Sequence, residues 1–228
     1  MTYKKIGVIV ADKDEYEPFL ALFNNAVMLD TPFKSAFEFS LFLSKVTVIL
    51  CGIGKVNAAA GTMYLADMGC DCVLNFGLSG GLKVINPGEF ILPERFLEHD
   101  FDLTPLGYKP CEKPGQEYIY YADKELLKIF SVCSCAVAGG TAVCGDRFIS
   151  DSKSSRFLSR TFGASSCDME TAAIAYVCSI KNIPFASLRR ISDSADSNAA
   201  DDYKDMNCGD GKTLGEKFLV CLKGVANV

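Results

Sequence analysis

Residues 167–196 read CDMETAAIAYVCSIKNIPFASLRRISDSAD, and this stretch decides the fold. Its first part predicts a helix that begins at Asp168 or Met169, because apolar side chains recur there at helical spacing. The apolar residues on one face of that helix are Ala173, Tyr176, Val177 and Ile180. Asn182 is a typical stop signal, and Pro184 forbids continuation of the helix.

A mostly apolar run of strand length, 183–191, follows this helix and ends just before Ser192 and Asp193. In open α/β sheets, ligands bind outside the carboxyl ends of the strands. We therefore expect Glu170 and Asp193 to meet in one pocket. The alternative is that Asp168 only caps the helix and Asp193 is a solvated loop acid.

Strand and helix patterns alternate along the rest of the chain. The predicted strands are 4–11, 36–43, 45–51, 72–76, 88–97 and 136–144. The predicted helices are a short one from 12 toward 23, then 56–68, 123–133, 156–162 and 214–225. No linker or composition break divides the chain. Residues 1–228 are therefore expected to form a single α/β domain with a central mixed sheet flanked by helices.

The composition restricts the class of protein. The chain has 228 residues and a net charge of −5, which argues against a nucleic acid or an anionic membrane as partner. No apolar run approaches the roughly 18 residues of a membrane span, and the first apolar run is too short for a signal peptide. We expect a cytoplasmic protein. Its 11 cysteines show no C-x-x-C pair and are expected to be buried, reduced thiols, and with one histidine no metal site is expected.

Three glycine-rich loops, 52–54, 77–81 and the one at Gly145, each follow a predicted strand. Glycine lets the backbone approach a ligand closely and exposes N–H groups. The first loop is not a dinucleotide fingerprint, because Asn57 occupies the place of its last glycine. Each loop alone is equally consistent with a tight turn. Together with the end of the strand at Asp193 they indicate a ligand site.

Sequence motifs of one family run nearly from end to end of the chain. They are IGVI at 6–9 with Glu15 downstream, GIGKV at 52–56, NFGLSGG at 75–81, HDFDLTPLGY at 99–108, GDRFI at 145–149, DME at 168–170 and RRISD at 189–193. With these motifs the chain resembles the 5′-methylthioadenosine/S-adenosylhomocysteine nucleosidases, in the wider purine and uridine nucleoside phosphorylase family. The resemblance implies a nucleoside phosphorylase-like fold.

The resemblance also implies a reaction, the hydrolysis of the N-glycosidic bond of an adenine thionucleoside without metal or cofactor. Asp193 matches the acid that protonates the purine N7, which requires a raised pKa at neutral pH. Glu15 matches the base that activates water on the opposite face of the sugar. Glu170 matches the residue that binds the ribose hydroxyls, and Arg189 one near the attacking water.

Further matches describe how the resemblance implies that substrate is held. Phe148 matches the aromatic that stacks on adenine, and Ile149 the backbone that reads the adenine edge. Met169 matches the residue that packs on the ribose, and Tyr203 an aromatic on the segment that covers the site. The remaining substrate-binding matches are Gly80 and Ser192.

The resemblance also implies a homodimer, in which Leu106 and Tyr108 reach the neighbouring subunit's site and contact the alkylthio group. The chain departs from the family pattern at two substrate positions. In the loop that usually reads Gly-Ser-Ala-Gly-Gly it has Leu78 and Ser79, so the serine is shifted by one. Asp168 stands where the family usually has glutamate, which removes one methylene.

Three alternative functions remain open. A nucleoside phosphorylase needs a cationic clamp for phosphate, but no arginine precedes Arg95 and only Lys55 lies near the first two glycine loops. The chain is therefore expected to use water. A hydrolase of another 5′-substituted nucleoside, such as futalosine, is the second alternative. A catalytically silent adenine-nucleoside binder, motivated by Leu78 and Asp168, is the third.

Overall fold

One mixed β-sheet forms the centre of the protein in a computed structural model that describes residues 3–82, 85–134 and 136–227, the side chains of 207–210 excepted. The strands are β1 (Lys5–Val10), β2 (Val27–Met28), β3 (Ser35–Leu41), β4 (Ser44–Leu50), β5 (Cys72–Gly81), β6 (Phe90–Leu92), β7 (Arg95–Glu98), β8 (Ile119–Tyr121), β9 (Val137–Ala138), β10 (Thr141–Cys144), β11 (Ser166–Asp168) and β12 (Phe185–Asp193). The helices are α1 (Lys13–Leu20), α2 (Lys55–Asp67), α3 (Lys124–Ser134), α4 (Ser152–Phe162), α5 (Thr171–Lys181) and α6 (Ala199–Ala226), with a short 3₁₀ helix at Thr104–Leu106.

Strand β5 is the branching point of the sheet. It runs parallel to β1 on one side and parallel to β12 on the other, and its last residues pair with β11 in antiparallel fashion. Beyond β1 the order continues through β4, β3 and β2, and beyond β11 through β10, β7 and β8. The carboxyl ends of β1, β5 and β12 therefore lie next to each other.

The helices cover both faces of the sheet because the residues of β1 alternate between two apolar cores. Ile6, Val8 and Val10 pack in a core that includes Phe19 of α1 and Phe218 of α6. Their neighbour Ile9 packs on the opposite face, in a core to which α2 contributes Leu65 and α5 contributes Ile174. The predicted α/β class with flanking helices is confirmed.

Several predicted elements differ from the structure. The segment 77–81, predicted as a glycine-rich loop after a strand over 72–76, is the last part of strand β5, and helix α4 begins at Ser152 rather than at 156. The strand expected over 88–97 is interrupted at Pro93, and its halves pair differently: β6 with β12 and β9, and β7 with β10 and β8. Helix α6 begins at Ala199 rather than at 214. The expected face of α5 is wrong in part, because Tyr176 and Ile180 are exposed whereas Ile174 is buried. The strands β2, β8 and β11 are short and were not predicted from the sequence.

Two further expectations concern the cysteines, predicted to be buried and reduced, and the lack of a membrane span. Each of the nine cysteines whose side chains are described is a free thiol, and eight of them are buried. Across the described ranges, the helices are too short or too polar to cross a membrane.

Candidate active site

A cleft opens at the carboxyl ends of β1, β5 and β12, with about 790 Å³ of space including its mouth. Thirteen of the fifteen residues predicted to act on or bind substrate line it. They are Glu15, Leu78, Ser79, Gly80, Phe148, Ile149, Asp168, Met169, Glu170, Arg189, Ser192, Asp193 and Tyr203. The parallel arrangement explains this convergence, because strands that run the same way end at the same edge of the sheet.

The other two predicted residues, Leu106 and Tyr108, do not line this cleft. They lie on the loop around the 3₁₀ helix, and Leu106 is 72% exposed. This position leaves both side chains available to another molecule, as their predicted role across a dimer interface requires.

Asp193 ends β12 and is buried, with only 2% of its surface exposed. Its Oδ2 accepts a hydrogen bond from the Ser192 hydroxyl at 2.6 Å, and its Oδ1 accepts one from the Ala195 N–H at 2.8 Å. Burial raises the pKa of Asp193, although these two hydrogen bonds oppose the shift. Asp193 is therefore not a solvated loop acid.

Glu15 lies in the first turn of α1, just after β1, and is buried. Its Oε1 accepts a hydrogen bond from the backbone N–H of Leu78 at 2.7 Å. Burial raises the pKa of Glu15 to about 8, and the Arg189 guanidinium opposes this shift. Glu15 therefore holds a proton more tightly than an exposed carboxyl group does.

Gly77 lets Glu15 and Arg189 meet over β5. A Cβ atom on Gly77 would lie 2.5 Å from Nη1 of Arg189 and 3.1 Å from Oε1 of Glu15. Both distances are shorter than ordinary contacts of a side-chain carbon. A side chain at position 77 is therefore incompatible with this arrangement.

Arg189 is almost fully buried, and neutral groups hold its guanidinium. Its Nε donates to the Ser79 hydroxyl at 2.8 Å, its Nη1 to Oδ1 of Asn75 at 3.0 Å, and its Nη2 to the Leu78 carbonyl. Asn75 is fixed in turn, because its Oδ1 also accepts from the Ser187 hydroxyl. Ser79, the serine that is shifted by one position from the family pattern, thus faces Arg189.

Asp168 has a structural role as well as a place in the cleft. Its Oδ1 accepts hydrogen bonds from the N–H groups of Glu170 and Thr171 at 3.0 and 2.9 Å, and the Thr171 hydroxyl donates to both carboxylate oxygens. These bonds give hydrogen-bond partners to backbone N–H groups at the start of α5, which have none within the helix. Oδ2 of Asp168 stays 3.9 Å from Nε of Arg189. Helix capping and lining of the cleft are therefore combined in one side chain.

Glu170 joins the start of α5 to the loop before α2. Its Oε1 accepts a hydrogen bond from the Gly54 N–H at 2.9 Å. Burial, with the Asp168 carboxylate adding to it, raises the pKa of Glu170 to about 7. The cleft thus holds three carboxyl groups whose pKa values are raised by burial.

Lys55 forms a network outside the cleft that the sequence analysis missed. Its ammonium group lies 2.6 Å from Oδ1 of Asp100 and 2.9 Å from Oε2 of Glu98. Its backbone N–H donates to Asp146, and the Asp146 N–H donates to Asp100. The signal was available in the GIGKV, HDFD and GDRFI motifs, but no spacing rule indicates that they meet.

Further lining residues were also missed. They are Ala11, Asp12, Ile53, Arg147 and Cys167. Asp12 is the N-cap of α1, a role that its place before a helical stretch predicts. That it also faces the cleft follows from the tertiary fold and not from its neighbours in sequence.

The fold and the cleft define a member of the phosphorylase superfamily, whose family model matches residues 5–218. The 5′-methylthioadenosine/S-adenosylhomocysteine nucleosidase of Exiguobacterium sp. is 34% identical over 206 residues, covering 86% of this chain and 87% of that protein. Within the superfamily, the chain belongs to the family of the 5′-methylthioadenosine/S-adenosylhomocysteine nucleosidases.

Solved structures agree with this assignment. The nucleosidase of the same name from Neisseria meningitidis, solved in complex with methylthio-immucillin-A, has a TM-score of 0.88 and 29% identity, covering 99% of this chain and 100% of that one. Futalosine hydrolase of Helicobacter pylori has a TM-score of 0.90 at 24% identity, covering 96% of this chain and 97% of that one. At that identity the likeness concerns the fold alone.

Proposed function

We propose that this protein hydrolyses the N-glycosidic bond of 5′-methylthioadenosine, S-adenosylhomocysteine or both, releasing adenine and the 5-thioribose sugar. One observation carries the proposal: the buried carboxyl groups of Glu15 and Asp193 line one cleft, from strand ends on either side of β5. Such a pair supplies an acid and a base to one bond, as in an inverting glycosidase. The names of the similar proteins support the substrate class.

Asp193 is the proposed general acid. Cleavage leaves negative charge on the adenine, and protonation at N7 makes adenine a better leaving group. A carboxyl group does this at neutral pH only when its pKa is raised, as burial does for Asp193. The hydrogen bond from Ser192 holds the carboxyl group in one orientation.

Glu15 is the proposed general base that activates the attacking water. Its Oε1 is held by Leu78, so its other oxygen is the one available to water. Arg189 contributes a fixed positive charge next to Glu15, because its N–H groups are bound to Ser79, Asn75 and Leu78. That charge offsets part of the rise in pKa that burial causes, and so favours the carboxylate, the form that accepts a proton from water.

The sugar and the base have separate proposed contacts. Glu170 accepts hydrogen bonds from the ribose hydroxyls, and these strengthen as the sugar becomes cationic. Met169 packs on the ribose. Phe148 stacks on adenine and Ile149 reads the adenine edge through its backbone. The Tyr203 ring lies 5.7 Å from Phe148 in an edge-to-face contact and covers this part of the cleft.

The contacts of Lys55 support water rather than phosphate as the nucleophile. Its ammonium group is bound to Glu98 and Asp100, and Arg189, the cation beside Gly77, is bound to Ser79, Asn75 and the Leu78 carbonyl. Phosphorolysis requires a cation that is free to bind phosphate. The silent-binder alternative has less support, because a binder has no need of three buried carboxyl groups in one cleft.

We further propose that the protein acts as a cytoplasmic homodimer. The exposed Leu106 and Tyr108 complete the 5′ end of the partner's cleft in this arrangement, and the shared site makes the interface necessary for activity. An apolar surface there suits an alkylthio group.

The test of this function is adenine release from 5′-methylthioadenosine by the purified protein, with phosphate absent and then present. We expect release without phosphate, together with free methylthioribose. Release that requires phosphate would assign the protein to the phosphorylases. Tight binding without release in either buffer would establish the silent binder. A strong preference for futalosine would assign the protein to the hydrolases of other 5′-substituted nucleosides.

A further inference from the structure

Asp12 is a cleft residue that the proposed reaction does not use. As the N-cap of α1, it accepts a hydrogen bond from the Asp14 N–H through Oδ1 at 2.8 Å. Its Oδ2 lies 3.5 Å from the Tyr203 hydroxyl, at the long end of hydrogen-bonding distance. One oxygen is thus committed to the helix, and the other is held only loosely at the wall of the cleft.

The position of Asp12 in the cleft follows from the roles assigned above, so the inference rests on the proposed function. Asp193 and Phe148 take the base, and Glu170 takes the ribose. Among the lining residues left over, Asp12 stands three positions before Glu15, the proposed base at the sugar, in the first turn of α1. The part of the nucleoside that extends past the sugar, away from the base, is its 5′ substituent. On these proposed roles, Asp12 is left for that substituent.

The surroundings of Asp12 are short of hydrogen-bond donors. Within the described chain, the Tyr203 hydroxyl is the partner of Oδ2. The other charged side chains that line the cleft are Glu15, Arg147, Asp168, Glu170, Arg189 and Asp193. Both cations of the cleft lining have partners of their own, because Arg189 is bound to Ser79 and Asn75, and Arg147 pairs with Asp151. A carboxylate only accepts hydrogen bonds. A ligand that brings a donor to this place therefore gains a charge-assisted bond.

We propose that Asp12 selects nucleosides whose 5′ substituent donates a hydrogen bond, through a hydroxyl or an ammonium group, relative to a methylthio group. S-adenosylhomocysteine carries an ammonium group beyond its thioether, and adenosine carries a 5′ hydroxyl. Methylthioadenosine carries no donor at this end. Asp12 thus sets the preference between substrates that share the same base and sugar.

The experiment compares kcat/KM for these three nucleosides in the wild type and in Asp12→Asn. Asparagine keeps the helix cap through its oxygen and turns an N–H group toward the cleft. We expect kcat/KM for S-adenosylhomocysteine and adenosine to fall about tenfold or more relative to methylthioadenosine. Glu17→Gln is the matched control, because Glu17 is an exposed acid on the same helix that pairs with Lys13. Glu17→Gln should leave the kcat/KM values for the three nucleosides in the same proportion to one another as in the wild type.

Dissociation constants provide a readout independent of turnover. In an Asp193→Asn background, adding Asp12→Asn should weaken the binding of S-adenosylhomocysteine while the binding of methylthioadenosine is retained. An equal loss for all three nucleosides overturns the proposal, because Asp12 would then only hold α1 and Tyr203 in place. The same shift in Glu17→Gln also overturns it. A wild type that cleaves none of the three refutes the proposed function instead.

Discussion

Three carboxyl groups with raised pKa values, Glu15, Glu170 and Asp193, share one cleft with a single fully buried cation, Arg189. Their positions separate the roles of the acids. Glu15 is beside Arg189, which opposes the effect of burial on its pKa, whereas Asp193 is held by Ser192 and has no cation acting on it among the described residues. Burial raises the pKa of both groups, and that of Glu15 reaches about 8, so the proposed roles of base and acid rest on where the two groups lie in the cleft.

Asp193→Asn removes the proton donor and keeps the shape of the side chain. We expect turnover of methylthioadenosine to fall about 100-fold or more, with the dissociation constant changed only a few-fold. Steady-state kinetics and calorimetry measure the two quantities. Asp67→Asn, at an exposed acid that pairs with Lys181 outside the cleft lining, is the control and should keep its turnover. Near-normal turnover in Asp193→Asn removes Asp193 from the role of acid.

Glu15→Gln tests the cost of burying an ionisable group. The pKa of Glu15 is about 8 in the folded protein and about 4.3 in an unfolded chain. The folded state therefore binds more protons between these values, and the stability that the protonated carboxyl contributes is lost as the pH rises toward 8. Glutamine does not titrate. The melting temperature of Glu15→Gln should match the wild type near pH 4 and exceed it by about 10 °C or more at pH 8.5.

The control for this pH series is Glu17→Gln, on the exposed side of α1. Its melting temperature should follow that of the wild type at every pH. A constant difference between Glu15→Gln and the wild type from pH 4 to 8.5 would contradict the raised pKa. Glu15→Gln should also be inactive in adenine release, because the base is absent.

At the scale of elements, the start of α5 links stability to the site. Asp168 satisfies N–H groups there while it lines the cleft. Asp168→Ala leaves these buried groups without a partner, and we expect a loss of about 1–3 kcal/mol in the free energy of unfolding together with a fall in kcat/KM. Urea denaturation and steady-state kinetics measure the two effects.

Asp151 caps α4 in the same manner, through the Ser154 N–H, but lies on the surface outside the cleft. Asp151→Ala should cost about 1 kcal/mol of stability and leave kcat/KM unchanged. Equal kinetic effects of the two alanine variants would show that capping alone explains the role of Asp168.

The sequence predicts elements well where apolar periodicity is strong. The buried runs of β1 and β12 and the helix between Thr171 and Lys181 lie within two or three residues of the prediction. The first half of α6 was missed because its sequence is rich in aspartate and lacks a long apolar stripe. Its place depends on Tyr203 and Met206, which pack against the core from a distance in sequence. No local pattern contains that information.

The site was predicted from motifs, and its internal contacts were not. Thirteen predicted residues line the cleft, because each motif ends a strand or begins a helix. The hydrogen bond from Arg189 to Ser79 joins residues 110 positions apart, and the capping bonds of Asp168 depend on the turn before α5. Both follow from side-chain orientation, which one sequence does not specify.

At the scale of the whole molecule, the exposed loop around the 3₁₀ helix tests the proposed dimer. Leu106→Asp places a charge in the proposed interface, and we expect monomers in sedimentation experiments and a loss of activity. Leu43→Asp is the control, because Leu43 is 88% exposed at the turn between β3 and β4. It should remain a fully active dimer. A wild type that is monomeric and fully active contradicts the shared site.

The Lys55 network has a consequence for the two walls of the cleft. Lys55 begins α2 directly after Gly54, whose N–H holds Glu170. Its partners Asp100 and Asp146 lead to the loop that carries Phe148. One ammonium group thus acts as a spacer between the wall for the sugar and the wall for the base. A residue outside the cleft thus sets the distance between its two walls. A substitution at Lys55 can therefore change the affinity for the nucleoside without altering any group that touches it.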